Sequence, residues 1–352
     1  MSEDRSVVSA GAALADLGAF DTIVDVRSES EFAEDHVPGA ISCPVLSDAE
    51  RAEVGTMDRQ QSSFEARRRG AALVARNIAR HLEQSFADKP RTWKPLVYCW
   101  RGGNRSGAMT HILGRVGWQA RQLEGGYRAF RRAVLADLDR LPARFAFRVV
   151  CGTTGSGKSR LLQHLAAAGA QVLDLEALAH HRGSLLGSLP ALPQPSQKHF
   201  ETRLWHALRG FDPSRPVFIE SESRKVGELR LPDRLLLAMR ASDCISLELP
   251  LEARVRLLRD EYVHFESDVA TLHEKLDCLV PLHGRERVDA WKALVDAGRW
   301  DALVERLLLD HYDPAYLRSI GRNFTRAPQA QPLVLASDDP AAFREAARAL
   351  AA

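Results

Sequence analysis

The fold of the second half of the chain is decided by residues 147–165, FRVVCGTTGSGKSRLLQHL. The apolar run predicts a buried strand from about Phe145 to Cys151, and a helix is expected over 161–168. Between them, residues 152–159 match the phosphate-loop pattern G-x-x-x-x-G-K-[ST] in full. This loop is predicted to bind a diphosphate, and the serine hydroxyl could ligate Mg²⁺. The predicted diphosphate-binding residues are Gly152, Thr153, Thr154, Gly155, Ser156, Gly157, Lys158 and Ser159.

Further strands are predicted beyond this loop at 217–220 and 244–250, and a last one at 332–336. From Leu251 to about Leu309 the pattern is almost wholly helical. Arg254, Arg256 and Arg259 in this region are similar to the arginine-bearing lid of small kinases, and a solvated helix face explains them equally well. The fold class of this half is therefore α/β, with a parallel P-loop sheet and helical additions.

The first half of the chain also alternates strand and helix patterns. Strands are predicted at 22–26, 95–99 and 121–124, and one long helix is predicted over 64–86. With 352 residues the chain suits two domains. We place them at 1–142 and 143–352, and the helical region of the second at about 251–325.

Composition limits the classes of protein that this chain can be. No stretch approaches the roughly 18 apolar residues of a membrane helix, and the first ten residues lack the order of an export signal. A cytoplasmic protein without a membrane partner is expected. The five cysteines are odd in number and show no CxxC spacing, so neither a disulfide framework nor a zinc site is indicated. We also expect no haem, no flavin and no dedicated protein-only metal site.

A second loop that could carry out chemistry lies at 96–106, with the sequence LVYCWRGGNRS. Glycines let such a loop turn its backbone N–H groups inward, and the helix that follows adds its positive end. A cysteine at its centre should be held as a thiolate, which is a nucleophile. Cys99 is the predicted catalytic residue. The residues of the anion loop around it are Trp100, Arg101, Gly102, Gly103, Asn104 and Arg105.

The surroundings of this loop resemble the rhodanese family. Asp25-Val-Arg27, the segment 31–40 that ends in His36-Val-Pro-Gly-Ala40, and the Gly125-Gly126-Tyr127 turn match the family pattern. The first domain is therefore expected to be rhodanese-like. The loop departs from most sulfurtransferases because its arginine lies six residues after the cysteine, which is the spacing of phosphate-binding cysteine phosphatases. The longer loop would suit a donor such as selenophosphate.

A rhodanese-like domain joined to a P-loop domain, together with the local runs at 174–184, 194–201 and 220–227, resembles the tRNA 2-selenouridine synthase family. The resemblance implies that a tRNA wobble 2-thiouridine is first geranylated from geranyl diphosphate and then selenated from selenophosphate. It also implies an association with the enzyme that produces selenophosphate. Candidate Mg²⁺ or substrate contacts are Asp174, Glu220, Glu222 and Arg224.

A polyanionic tRNA substrate would need basic contacts. Residues 101–148 contain ten arginines, no lysine and three acidic residues. This stretch could equally be a solvated face. The candidate tRNA contacts are Arg128, Arg131, Arg132, His181, Arg182 and Lys198.

Other functions remain open on the residues alone. The spacing between Cys99 and Arg105 is compatible with a cysteine-dependent phosphatase, although no general acid is identifiable. A thiosulfate sulfurtransferase would leave the P-loop without a role. A P-loop kinase that uses the rhodanese domain only for binding would tolerate replacement of Cys99.

Overall fold

The structure, a computed structural model, describes residues 6–189 and 192–352. Residues 1–5, on which the expectation of a missing export signal partly rests, and 190–191 lie outside it. The chain forms two compact units. Unit 1 comprises residues up to Asp137 together with Pro195–His206, and unit 2 comprises Leu138–Gln194 and Ala207–Ala352. In the described residues, no helix is both long and apolar enough to cross a membrane.

Unit 1 is built on a five-stranded sheet. Its strands lie in the order β1-β5-β4-β2-β3, and all neighbours are parallel. The strands are β1 Val7–Val8, β2 Thr22–Asp25, β3 Ala40–Ser42, β4 Pro95–Tyr98 and β5 Arg121–Leu123. The predicted strands at 22–26, 95–99 and 121–124 are confirmed to within one residue at their ends.

Helices cover the sheet of unit 1. The helices are α1 Ala10–Ala15, α2 Glu29–Glu34, α3 Asp48–Gln60, α4 Ser63–Gln84, α5 Asn104–Val116 and α6 Gly126–Arg140, which continues into unit 2. The predicted long helix corresponds to α4. One core cluster contains Val24 and Val97 from the sheet, Ile78 from α4 and Met109 from α5, all buried. These apolar side chains fix the helices against the sheet.

Unit 2 contains a second parallel sheet with the strand order β12-β11-β6-β8-β7. The strands are β6 Phe147–Cys151, β7 Gln171–Leu173, β8 Val217–Glu220, β11 Asp243–Glu248 and β12 Gln331–Val334. A separate antiparallel pair is formed by β9 Lys225–Val226 and β10 Leu229–Arg230. The α/β class, with one parallel five-stranded sheet in each unit, is confirmed.

The helices of unit 2 include those that flank the sheet and a group between β11 and β12. The helices are α7 Lys158–Ala167, α8 Leu175–Ala179, α9 Gln197–Gly210, α10 Asp233–Arg240, α11 Leu251–Glu261, α12 His264–Ser267, α13 Val269–Asp277, α14 Val280–His283, α15 Arg285–Asp296, α16 Trp300–Leu307, α17 Asp313–Asn323 and α18 Pro340–Ala351. A π-helical turn, Leu308–Tyr312, joins α16 to α17. Helix α9 begins in the part of the chain that belongs to unit 1.

Parallel strands place all their carboxyl ends at one edge of a sheet, where α/β proteins bind ligands. In unit 1 this edge carries the loop after β4. In unit 2 it carries the loop after β6 and the residues that follow β7 and β8. The two predicted loops are thus positioned by the same rule.

Candidate active sites

The loop that carries Cys99 joins β4 to α5 and turns sharply. Gly102 has a φ of +65°, a conformation that glycine adopts without steric cost. A Cβ at this position would lie 2.6 Å from the carbonyl oxygen of Leu123. Asn104 and Arg105 already belong to the first turn of α5. The sequence after Cys99 is therefore folded back close to the end of β5.

The thiol of Cys99 is buried and hydrogen-bonded. The residue is 3% exposed, and the hydroxyl of Ser106 donates a hydrogen bond to Sγ at 3.2 Å. Burial by itself raises the pKa of Cys99, but hydrogen bonds from Ser106 and from the backbone of Gly103, with the charge of Arg105, hold the pKa below its ordinary value. The loop therefore favours the thiolate, which is the reactive form.

Arg105 contributes less to the thiolate than its position in the sequence indicated. Its Nη1 donates a hydrogen bond at 3.1 Å to Oε2 of Glu31, and the side chain is 21% exposed. Its charge is the last of the causes that lower the pKa of Cys99, after Ser106 and Gly103. Ser106, which was not predicted as a site residue, makes the direct contact with the sulfur.

The turn at 125–127 packs against the cysteine loop and holds it in place. The N–H of Tyr127 donates to the carbonyl oxygen of Cys99 at 2.8 Å. A Cβ on Gly126 would lie 2.2 Å from that same oxygen, so the close approach requires glycine. The ring of Trp100 stacks on that of Tyr127, with centroids 5.3 Å apart. One face of Trp100 is therefore already in contact with protein.

In unit 2 the predicted phosphate loop connects β6 to α7. Lys158 is the first residue of α7, and its Nζ donates to the carbonyl oxygens of Gly152 at 2.8 Å and Thr153 at 3.4 Å. The N–H of Gly152 donates to the hydroxyl of Tyr316 at 2.6 Å. The ammonium group is thus held over the loop, beside the positive end of a helix, which is an arrangement that binds anions.

A group of carboxylates faces the start of α7. Oγ of Ser159 donates to Oε2 of Glu176 at 2.7 Å, and the N–H of Glu176 donates to Oε1 of Glu220 at 2.8 Å. The other oxygen of Glu220, Oε2, is buried and has no hydrogen-bond partner in the described part of the chain. Glu222 lines the same pocket as Lys158, Ser159 and Glu176. Glu176 was not among the predicted site residues.

The carboxyl groups of this cluster hold their protons unusually tightly. Removal from solvent raises the pKa of Glu220 well above its ordinary value, and the neighbouring acids Asp174, Glu176 and Glu222 raise it further. Desolvation and the charge of Glu176 raise the pKa of Glu222 to about 8, although Lys158 opposes this change. A cation bound here would offset the repulsion between these carboxylates, which adds to the effect of burial on their pKa values.

Comparisons with known proteins match the two parts of the chain that carry these loops. The family model of the tRNA 2-selenouridine synthase AAA domain matches residues 145–279, and that of the rhodanese-like domain matches residues 9–133. The tRNA 2-selenouridine synthase of Aeromonas salmonicida is 31% identical over 337 residues, which are 86% of this chain and 88% of that protein. The chain belongs to the tRNA 2-selenouridine synthase family.

A second relative has higher identity over a shorter length. The tRNA 2-selenouridine synthase of Nitrosomonas europaea is 37% identical over 248 residues, which cover 68% of this chain and 63% of that protein. A third, from Shewanella loihica, is 32% identical over 333 residues and 88% of its own length. Among solved structures, a rhodanese-related protein from Thermoplasma volcanium is similar over 36% of this chain and 91% of its own, with 19% identity and a TM-score of 0.25.

Two further predicted metal or substrate contacts in unit 2, Asp174 and Arg224, have local partners. Asp174 caps α8, where Oδ1 accepts a hydrogen bond from the N–H of Ala177 at 2.7 Å. Arg224 is exposed, and its Nη2 lies 3.7 Å from Oδ1 of Asp233. Neither lines the pocket beside the P-loop, whereas Glu222 does.

The candidate tRNA contacts in unit 2 also differ in their surroundings. Arg182 lines the P-loop pocket, where its guanidinium donates to the carbonyl oxygen of Glu261 and lies 4.9 Å from the ring centroid of Tyr262. Nδ1 of His181 accepts a hydrogen bond from the N–H of Gly183 at 3.1 Å. Arg182 therefore lies in the same pocket as Lys158 and Ser159 of the predicted phosphate loop.

In unit 1, the candidate tRNA contacts divide into exposed and paired residues. Arg128 and Arg132 on α6 are exposed. The guanidinium of Arg131 forms an ion pair with Glu201, and its side chain is only 14% exposed. Nζ of Lys198 lies 2.6 Å from Oε1 of Glu34. Arg128 and Arg132 thus remain the more accessible of these cations.

Arg254 connects the P-loop to a distant helix, a structural role that the sequence pattern did not predict. It is buried, 7% exposed, and its Nη2 donates to the carbonyl oxygen of Thr154 at 2.7 Å. The same guanidinium forms an ion pair with Asp313, with Nη2 2.6 Å from Oδ1. Arg254 therefore ties the P-loop to α17, while Arg256 pairs with Asp338 at the surface.

Proposed function

We propose that this chain converts the wobble 2-thiouridine of a tRNA to 2-selenouridine in two stages. In the first, the sulfur of the nucleoside attacks C1 of geranyl diphosphate, and diphosphate leaves. In the second, selenium from selenophosphate bonds to C2 of the uracil ring, geranyl thiol leaves from that carbon, and the phosphoryl group of selenophosphate passes to water as phosphate. The observation that carries the proposal is one chain with an activated Cys99 in unit 1 and a P-loop in unit 2.

The first stage needs a site that grips diphosphate and stabilises it as a leaving group. The ammonium of Lys158, held at 2.8 Å from the Gly152 carbonyl, and the guanidinium of Arg182 supply positive charge in one pocket. The backbone N–H groups of the loop and the first turn of α7 add hydrogen-bond donors. These residues would bind the diphosphate and orient its C–O bond for cleavage.

Mg²⁺ fits this pocket. Ser159 and Glu176 would hold it, since their side chains already meet at 2.7 Å, and the unpaired buried oxygen of Glu220 lies on a neighbouring strand end. The described residues offer no cluster of three or more His, Cys, Asp or Glu side chains with metal-site geometry, so diphosphate oxygens would complete the coordination. When bound, Mg²⁺ would neutralise charge that develops on the departing diphosphate.

The second stage falls to Cys99. Its thiolate, stabilised by Ser106 and the surrounding N–H groups, lies in a loop that is long enough for a phosphate-bearing donor. Such a thiolate would orient selenophosphate for the transfer, or attack its phosphorus so that the P–Se bond breaks, selenide leaves toward the nucleoside, and water later hydrolyses the S–P bond to release phosphate. This stage links the protein to the enzyme that supplies selenophosphate. A tRNA would meet the exposed cations of α6, Arg128 and Arg132.

The proposal is tested by nucleoside mass analysis. The purified chain is incubated with 2-thiouridine-containing tRNA, Mg²⁺ and geranyl diphosphate, with and without selenophosphate. A geranylated nucleoside is expected without selenophosphate, and 2-selenouridine is expected with it. An unchanged nucleoside, with turnover of ATP or an aryl phosphate instead, would replace the proposal by the kinase or phosphatase alternative.

A further inference from the structure

An apolar pocket lies in the helical part of unit 2. It is lined by side chains from α11, α12, α13, α16 and the π-helical turn, including Leu258, Phe265, Leu272, Trp300 and Leu303. All of its lining side chains are apolar or aromatic except Thr154, Ser184, Arg259 and Glu266. A pocket with so few polar groups suits a hydrocarbon better than the hydroxyls of a ribose or the edges of a base.

The polar residues of this pocket leave its interior apolar. The guanidinium of Arg259 is bound to Glu266, with Nη2 2.7 Å from Oε1, and to Asp301 through Nη1 at 2.5 Å. The charge of Arg259 is therefore already balanced by the carboxylates of Glu266 and Asp301. The remaining polar residues, Thr154 and Ser184, also line the pocket beside the P-loop.

The apolar pocket and the P-loop pocket share one wall. Thr154, a residue of the P-loop itself, lines both, as do Ser184, Leu258, Tyr262 and Tyr312. A group attached to a diphosphate that is bound at Lys158 would therefore lie next to the apolar space. The adjacency selects a molecule that is ionic at one end and hydrocarbon at the other.

We propose that this pocket, bounded by α11, α13, α16 and the π-helical turn, binds the hydrocarbon chain of an acyclic prenyl diphosphate. The inference rests on the proposed function, in which geranyl diphosphate is the substrate of the P-loop, and it assigns the residues that hold the chain. Val304, partly buried and packed against Leu258 and Leu308, lines the pocket, so a larger side chain at this position would take up space that the chain needs.

The experiment measures equilibrium binding to the purified full chain by calorimetry in buffer with Mg²⁺. The probes are inorganic diphosphate, dimethylallyl diphosphate and geranyl diphosphate, which carry the same ionic group and none, one or two isoprene units. Burial of each isoprene unit is expected to tighten binding by at least about tenfold, so the affinity rises along the series. This part of the test needs no variant.

A pair of matched variants locates the chain. Val304→Phe fills the pocket and is expected to weaken binding of geranyl diphosphate by about tenfold or more while inorganic diphosphate binds as before. Val263→Phe is the control, because Val263 is 58% exposed and does not line the pocket. It should leave all three affinities within about twofold of those of the original chain.

The outcomes separate this inference from the proposed function. Equal affinities for the three probes, or an equal effect of Val304→Phe on geranyl diphosphate and inorganic diphosphate, would overturn the pocket assignment and leave diphosphate binding at the P-loop intact. A chain that binds none of the three probes but binds ATP would contradict the proposed function itself. Rising affinity along the series, lost only in Val304→Phe, supports the inference.

Discussion

At the scale of single residues, the reactivity of Cys99 depends on a hydroxyl group. The Ser106 hydroxyl donates to the sulfur at 3.2 Å, and a hydrogen bond stabilises a thiolate more than a thiol. Burial acts in the opposite direction and raises the pKa. Because Cys99 is only 3% exposed, the few donors that reach its sulfur decide the charge state of the thiol.

Replacing Ser106 by alanine should therefore raise the pKa of Cys99. A hydrogen bond to a charged group contributes about 1.5–3 kcal/mol, which corresponds to roughly one to two pH units. The rate of alkylation by iodoacetamide, measured against pH, should move to higher pH by about that amount, with slower reaction at pH 7. Ser106→Thr, which keeps the hydroxyl, is the control. An unshifted profile in Ser106→Ala would exclude this role for the serine.

In unit 2, Glu176 is the residue whose side chain meets the P-loop serine. Because Glu176 accepts from Ser159 at 2.7 Å, Glu176→Gln should weaken Mg²⁺-dependent geranylation by roughly 10- to 100-fold, the usual effect of altering groups around a metal. The measurement is a Mg²⁺ titration of the geranylation rate.

Two controls accompany the Glu176 variant. Glu228→Gln changes an exposed glutamate, 92% exposed, and should have no effect on the titration. Alkylation of Cys99 should be unchanged in Glu176→Gln. A titration of Glu176→Gln that overlays that of the original chain would remove Glu176 from the site.

Ser106 and Glu176 are site residues that the sequence motifs did not predict. The motifs predicted Cys99, Lys158 and Ser159, because a loop motif keeps its functional residues at fixed spacing. Ser106 and Glu176 act through side-chain directions, and Glu176 lies on a short helix that was not predicted. No pattern in the chain marks which of the acidic residues after β7 turns toward Ser159.

At the scale of elements, α11 holds the P-loop in place through one buried arginine. Arg254 donates to the Thr154 carbonyl at 3.0 and 2.7 Å and pairs with Asp313 on α17. Removal of one partner from a buried ion pair leaves the other charge uncompensated, which is far more costly than loss of a surface pair. The position of the loop is thus tied to the packing of the helical region.

Arg254→Met should consequently destabilise unit 2 by about 3–5 kcal/mol. Arg256→Met on the same helix removes an arginine that is 58% exposed and should cost no more than about 1 kcal/mol. Urea unfolding followed by circular dichroism compares the two free energies of unfolding. Equal losses in both variants would show that Arg254 is no more important than a surface ion pair.

The strands were the most predictable elements. Runs such as 217–219 and 149–151 are buried on both faces of a parallel sheet, so their apolar character is continuous in the sequence. The apolar pocket of the helical region was not predictable in the same way. Helical periodicity marks apolar faces, but the space left between packed helices depends on tertiary structure.

At the scale of the whole molecule, the chain returns once to its first unit. Residues 195–206 belong to unit 1, where the hydroxyl of Thr202 donates to Oδ2 of the buried Asp35 at 3.0 Å. Tyr127 donates to the same oxygen at 2.8 Å. A single boundary between 142 and 143 does not describe this return, because nothing in the local sequence near Thr202 indicates a distant partner.

The central claim is that the two stages use two separate loops, and one measurement tests it directly. Cys99→Ser is incubated with 2-thiouridine-containing tRNA, Mg²⁺, geranyl diphosphate and selenophosphate, and the nucleosides are analysed by mass. The S-geranylated nucleoside should accumulate and 2-selenouridine should be absent, while Lys158→Ala should form neither product. Loss of geranylation in a folded Cys99→Ser protein, or formation of 2-selenouridine by it, would contradict the account.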